Sequence, residues 1–235
     1  MSDSAAPLAR CTPIVRRPVA VIFDLDGLML DTEPLAARAW GEAAAALGVG
    51  FDTTLARAMI GRNFADCTTM LRARYADPYP VDALLGRWHA AYDDIVAREG
   101  LVLKPGLPEL LEWLEANAIP RAVATSTRRE RARAKLEHTA LLRRFHAIVG
   151  GDEVARGKPE PDIYVEAARR LGKDPASCVA LEDSEPGIRA ALSAGMAPIM
   201  IPDLHPPSPE LVALDVAVLP SLHDVLLRFA ALPPS

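Results

Sequence analysis

The chain has 235 residues, half of them apolar and about a quarter charged, with a formal net charge of -5. That length supports one sizeable core, or a core with a small second domain, and the apolar share excludes a disordered chain. Mild acidity gives no pull towards nucleic acid or an anionic membrane, and no apolar run approaches the roughly 18 residues of a membrane-spanning helix.

In chain order, residues 1–17 carry Arg10, Arg16 and Arg17 but no continuous apolar stretch of signal-peptide type, and read as a loose tail. Val19 to Phe23 is a short apolar run that stops at Asp24, the pattern of a buried parallel strand. Residues 35–100 then show helical periodicity over Ala36–Leu47, Thr54–Ile60, Cys67–Tyr75 and Val81–Ala97, with no convincing strand. An all-helical insert after the first strand predicts a cap domain, with the return crossing at Glu99 to Gly106. A helix over Leu107–Asn117 follows, then a strand at Ala122–Ala124, a charged helix over Arg128–Leu142 and a strand at Ala147–Val149. Asp162–Leu171 is an amphipathic helix, Cys178–Leu181 a strand, Ser184–Ala194 a helix and Pro198–Ile201 a strand. Strands alternating with helices imply βα units and a parallel sheet covered on both faces. The expected architecture is α/β: a core of residues 18–34 and 101–235 with residues 35–100 inserted.

Acids and hydroxyls collect just past the strands, where ligands bind in open parallel sheets. Asp24-Leu25-Asp26-Gly27 and Leu181-Glu182-Asp183-Ser184 each place two carboxylates at such a tip. Gathering like charges there is costly unless a cation holds them, and few protein oxygens with room for water and phosphate suit Mg²⁺. The plainer readings are an Asp-Gly turn and a helix cap at Asp183-Ser184. Thr125-Ser126-Thr127 precedes a helix and can bind an anion through hydroxyls and backbone N–H groups, or simply cap that helix. Lys158 lies in Gly157-Lys158-Pro159-Glu160-Pro161-Asp162, a loop that two prolines constrain; it reads either as a solvated surface lysine or as a compact positive charge for a phosphoryl oxygen and for Asp24. The approximate P-loop at Gly151 to Lys158 is rejected, because its spacing is too long and Pro159 replaces the needed hydroxyl.

Taken in order, Asp24-Leu25-Asp26-Gly27-Leu28-Met29-Leu30-Asp31-Thr32-Glu33-Pro34, Thr125-Ser126, Lys158-Pro159-Glu160-Pro161-Asp162-Ile163-Tyr164 and Leu181-Glu182-Asp183-Ser184-Glu185-Pro186-Gly187-Ile188 resemble the haloacid dehalogenase superfamily. The chain is most similar to its phosphatase and beta-phosphoglucomutase branch. The resemblance implies a Rossmann-like core, a helical cap and Mg²⁺. It implies that Asp24 is the nucleophile and Asp26 the general acid and base, with the Asp26 carbonyl also on the metal. Thr125, with Ser126, would bind the transferring phosphoryl group, Lys158 would steady it, and Asp183 with Glu182 would complete the metal site. An acid at Asp26 argues for phosphate esters, since the dehalogenating and phosphonate-cleaving relatives lack one there. The mutases use a cap-helix histidine and a cap-loop arginine; the matching positions here are Ala36 and Phe64, and Arg62 reads either as an exposed loop arginine or as a displaced phosphate ligand. Hydrolysis of small, sugar-phosphate-like monoesters is therefore expected, with a sugar phosphomutase and a catalytically silent phosphate- or protein-binding module as alternatives.

Other features read as structural. Cys11, Cys67 and Cys178 are odd in number with no CxxC pair, which fits a reducing cytoplasm rather than disulfides. Trp40, Trp88 and Trp113 fall in helical patterns, the five histidines show no ligand spacing, and no GxSxG elbow occurs. A monomer acting on a small phosphate ester, with no nucleic-acid or membrane partner, is the default.

Overall fold

The computed structural model describes residues 10–59, 64–75 and 79–234. Strands β1 (Ala20–Phe23), β2 (Arg121–Thr125), β3 (Ala147–Gly150), β4 (Cys178–Glu182), β5 (Ala197–Met200) and β6 (Ala217–Val218) form one sheet in the order β3-β2-β1-β4-β5-β6. Every neighbouring pair is parallel. The order reverses at β1, so a crevice opens at the carboxyl ends of β1 and its neighbours.

The sheet alternation sets two layers. Val21 and Phe23 of β1 face helices α5 (Leu107–Ala116), α6 (Arg129–His138) and α10 (Leu222–Ala231), burying Leu110, Leu111, Leu136 and Phe229. Ala20 and Ile22 face α7 (Asp162–Leu171) and α8 (Glu185–Ser193), where Ile163, Ala167, Ala190 and Ala191 let the helices approach closely. A one-residue slip of β1 would exchange these sets, so burial on both faces fixes its register. The result is the expected α/β architecture with a Rossmann-like parallel sheet.

Between β1 and α5 the chain leaves the sheet for helices α1 (Glu33–Ala46), α2 (Thr53–Ala58), α3 (Phe64–Arg74) and α4 (Val81–Glu99). This helical insert has its own cluster of Trp40, Leu71, Leu84 and Leu85. The Trp40 ring stacks on Phe51 at 5.3 Å and on Trp88 at 4.9 Å. Asp52 caps α2 by accepting the N–H groups of Thr54 and Leu55. The outgoing and returning crossings pair with each other: Asp31 N–H donates to Val102 O at 2.9 Å and Lys104 N–H to Met29 O at 2.9 Å.

Three local differences from the sequence pattern have clear causes. Helix α6 stops at His138 instead of reaching Leu142, because Ala140 adopts φ +58. Leu141 N–H then closes on Leu136 O at 2.8 Å and Ala140 N–H on Glu137 O at 3.1 Å, a Schellman ending. Helix α3 begins at Phe64, ahead of the periodic residues from Cys67. Beyond Ile201 the sequence pattern assigns no element, yet α9 (Pro209–Val212), the two-residue β6 within the apolar run 216–219, and α10 complete that edge. Ser221 caps α10 by accepting Asp224 N–H. Among the described residues, no helix is long and apolar enough to cross a membrane.

Candidate active site

Asp24 follows β1 directly, Thr125 ends β2, and Glu182 ends β4 with Asp183 next. These three strands are adjacent at the sheet centre, so the topology brings their tips together. Lys158 reaches in from the loop before α7, where its bond to Pro159 is cis. Its ammonium donates to Asp24 Oδ1 at 2.5 Å, Glu182 Oε1 at 2.5 Å and Ala124 O at 3.2 Å, which uses all three N–H groups.

Glu182 is fully buried, which an unpaired carboxylate could not sustain. Besides Lys158 it accepts from Tyr164 Oη at 2.5 Å on Oε1, and from Ser184 Oγ at 3.0 Å on Oε2. Its carboxylate lies over Gly187, where a Cβ would sit 1.8 Å from Glu182 Oε1. Ser184 also caps α8 by accepting Gly187 N–H at 3.3 Å, so the expected cap at this point is present. Gly27 plays a similar part for Asp183: φ is +82, and a Cβ there would meet Asp183 Oδ2 at 2.3 Å.

Asp24, Glu182 and Asp183 each offer an oxygen, and the three lie within 4.8 Å of one another. Burial drives Asp24 up to about 7, with Glu182 adding to the rise and Lys158 opposing it. Burial also lifts Asp183 well above the usual carboxylate range, helped by the charges of Asp24 and Glu182. Burial would lower the Lys158 ammonium, but Asp24 and Glu182 outweigh it and hold it above the normal lysine range. One lysine thus faces three buried carboxylates. A divalent cation on oxygen ligands would relieve that excess, so the donor set fits Mg²⁺. Nearby, Asp203 Oδ1 accepts from Lys104 at 2.6 Å, while its Oδ2 is buried without a hydrogen-bond partner and points to the Gly27 side of Asp183.

Asp26 is held differently. Lys135 of α6 donates to its Oδ1 at 2.5 Å and Thr127 Oγ1 to its Oδ2 at 2.6 Å. Burial would raise its carboxyl, but Lys135 and these hydrogen bonds bring it below the ordinary value. Thr125 is buried and its Oγ1 accepts Thr127 N–H at 3.1 Å, while Ser126 is half-buried. None of the three hydroxyl residues caps α6; Asp152 Oδ1 takes Arg129 N–H at 2.8 Å instead. Thr125 and Ser126 line a cavity of about 1520 Å³ that runs from Asp24 and Asp183 to Trp40 and Trp88 of the insert. Arg62 lies outside the described residues.

The sequence patterns passed over Lys135 and Asp203, marked Thr127 only as an anion-binding or capping hydroxyl, and left Tyr164 without a role of its own. Tyr164 stood within a quoted motif and Thr127 beside Thr125, so both had a local signal. Lys135 had none, because it sits in a helix rich in charge.

A family profile described as haloacid dehalogenase-like hydrolase matches residues 19–195. A bifunctional riboflavin kinase/FMN phosphatase of Arabidopsis thaliana is 31% identical over 235 residues, which is 100% of this chain and 59% of that protein. The chain therefore spans about three-fifths of that relative's length. A phosphorylated carbohydrates phosphatase of Thermotoga maritima is 34% identical over 177 residues, 75% of this chain and 82% of the relative. The structure of CbbY from Rhodobacter sphaeroides in complex with phosphate superposes with a TM-score of 0.75 at 30% identity, covering 88% of this chain and 96% of that one. With the profile spanning most of the chain, the strand-tip acids in place and relatives named as phosphatases, this protein belongs to the haloacid dehalogenase-like hydrolases and is a phosphoric monoester hydrolase.

Proposed function

We propose that the protein is a Mg²⁺-dependent phosphatase of small, sugar-phosphate-like monoesters that works through a phosphorylated Asp24. The observation that carries this is the buried set of Asp24, Lys158, Glu182 and Asp183, of which Asp24 and Asp183 line the cavity, with Asp26 beside it on separate donors. Asp24 and Asp183, with Glu182 and the Asp26 carbonyl nearby, would hold the cation; when bound it offsets negative charge on the phosphoryl oxygens and on the attacking carboxylate.

Each remaining role belongs to a residue of the chain. Lys158 fixes Asp24 through Oδ1, leaving the other oxygen for attack on phosphorus, and its charge faces the incoming dianion. Thr125 and Ser126 border the phosphoryl position. Because Lys135 and Thr127 hold the resting Asp26 carboxyl below its ordinary value, Asp26 must first take up a proton from water. As the P–O ester bond breaks it gives that proton to the departing oxygen, and it then takes one from the water that cleaves the aspartyl-phosphate. Tyr164 and Ser184 hold Glu182, and Glu182 holds Lys158. The helical insert acts as a cap over the cavity, excluding bulk water and presenting selecting side chains.

Sugar phosphates lead among substrates because of the Thermotoga relative's name and because the cavity is roomy. Ala36 lines that cavity and supplies no imidazole, which favours water over a sugar hydroxyl as acceptor. A panel of metabolite phosphates, assayed with and without Mg²⁺, is expected to show turnover only with the metal. Asp24→Asn should lower it at least about 10³-fold. Formation of glucose 6-phosphate from the 1-phosphate would replace hydrolysis by the mutase reading. A wild type as inert as Asp24→Asn would leave only the silent binding module.

A further inference from the structure

Lys135 is a largely covered cation, its side chain 13% exposed, on a helix that otherwise carries its charges in water. It follows Ala134 and precedes Leu136, which is fully buried in the core. A lysine at such a position is stable only with a partner. The partner is Asp26, 109 residues away in sequence and 2.5 Å away in space. The Asp26 carboxylate is free to rotate about two torsions, but both its oxygens are engaged: Oδ1 by Lys135 and Oδ2 by Thr127. Two donors on different sides fix the plane of the carboxylate as well as its position.

The lysine is itself held from the insert. Its ammonium lies 5.1 Å from the ring centre of Tyr92, a buried residue of α4. One turn earlier on α6, Arg131 pairs with Asp93, the next residue of α4. The two contacts run side by side, so α6 of the core and α4 of the insert meet along Arg131–Asp93 and Lys135–Tyr92. Withdrawing α4 would take the ring from the ammonium and let water reach it.

We propose that Lys135 is a positioning residue that sets the Asp26 carboxylate for proton transfer, and that Tyr92 makes this setting depend on the insert being docked against α6. The proposal rests on the role assigned to Asp26 above. Lys135 takes no part in the transfer itself: it holds the carboxylate through Oδ1 while Thr127 holds Oδ2. Docking of the insert and readiness of the acid are thereby the same event, so an undocked enzyme would bind phosphate without cleaving poor leaving groups.

The test compares kcat/KM for p-nitrophenyl phosphate, whose leaving group departs without a proton, with that for an alkyl phosphate, whose leaving group needs one. Lys135→Met is expected to reduce kcat/KM for the alkyl ester about 10- to 100-fold and that for the aryl ester less than about threefold. Lys135→Arg should recover much of the loss, and Tyr92→Leu should give a smaller loss with the same split. Adding Lys135→Met to Asp26→Asn should cost little more, since the two act as a unit. Lys135→Gln serves in place of Lys135→Met if the latter unfolds at the assay temperature. Equal losses on both esters, or full additivity with Asp26→Asn, would overturn the proposal while leaving the phosphatase reading intact. A wild type inert on both esters sinks the two together.

Discussion

Two glycines decide where the acids can stand. At Gly187 any side chain would occupy the space of the Glu182 carboxylate, and at Gly27 that of Asp183. Gly187→Ala must push Glu182 aside and so loosen its grip on Lys158. We expect kcat to fall about 10- to 100-fold, with a stability loss of about 1–3 kcal/mol from overpacking. Steady-state kinetics on an aryl phosphate, set beside a denaturation curve, checks this; unchanged kcat would mean that Glu182 does not govern Lys158. The acids themselves were legible in the sequence, because an apolar run ending in carboxylates marks a strand tip. Their different partners were not: Glu182 meets Tyr164 and Lys158, and Asp26 meets Lys135, only after the chain has folded.

At the scale of elements, the insert is a packing unit in its own right. Trp40, Leu71 and Leu84 bury one another away from the clusters that flank the sheet. Leu84→Ala should therefore cost about 2–5 kcal/mol by leaving a cavity, and the cost should fall on the insert. Hydrogen exchange followed by mass spectrometry is expected to speed up across α1–α4 and stay unchanged in β1, β2 and β4. Uniform acceleration through the sheet would mean that insert and core unfold as one. The helices of this unit were readable from periodicity. The end of α6 was not, since a left-handed Ala140 is a choice made by the Schellman ending and by the burial of Leu141. Likewise the pattern assigns no strand to the run 216–219, and only Ala217 and Val218 of it pair, at the edge that β5 offers.

Across the whole molecule, arginines on α6, α7 and the loops hold carboxylates below their ordinary range. Hydrogen bonds from Arg169 and then Arg170 lower Glu166 from 4.5 to about 2. Glu115, Glu153 and Asp162 are shifted the same way. Arg170 also bonds Ile148 O at 2.6 Å and Glu153 at 2.9 Å, so these pairs tie α7 to β3. A carboxyl held low in the folded state stabilises it above the unfolded value and loses that contribution as pH falls through the folded one. The melting temperature should thus drop as pH is lowered from about 5 to about 3. Glu166→Gln should show a shallower drop than wild type in a thermal-shift series. Equal slopes would show that these pairs are too well solvated to matter.

The sequence by itself determined the alternation of strands and helices, the helical insertion after β1 and the acids at the strand tips. Those features depend on local chemistry: apolar runs, periodicity and chain breaks. Tertiary structure decided which of the many charged residues lose their water. Lys135 belongs to a helix whose pattern reads as a solvated surface. It becomes part of the site because the core and the insert close around it, and burial depends on what packs from outside a residue's own neighbourhood in the chain.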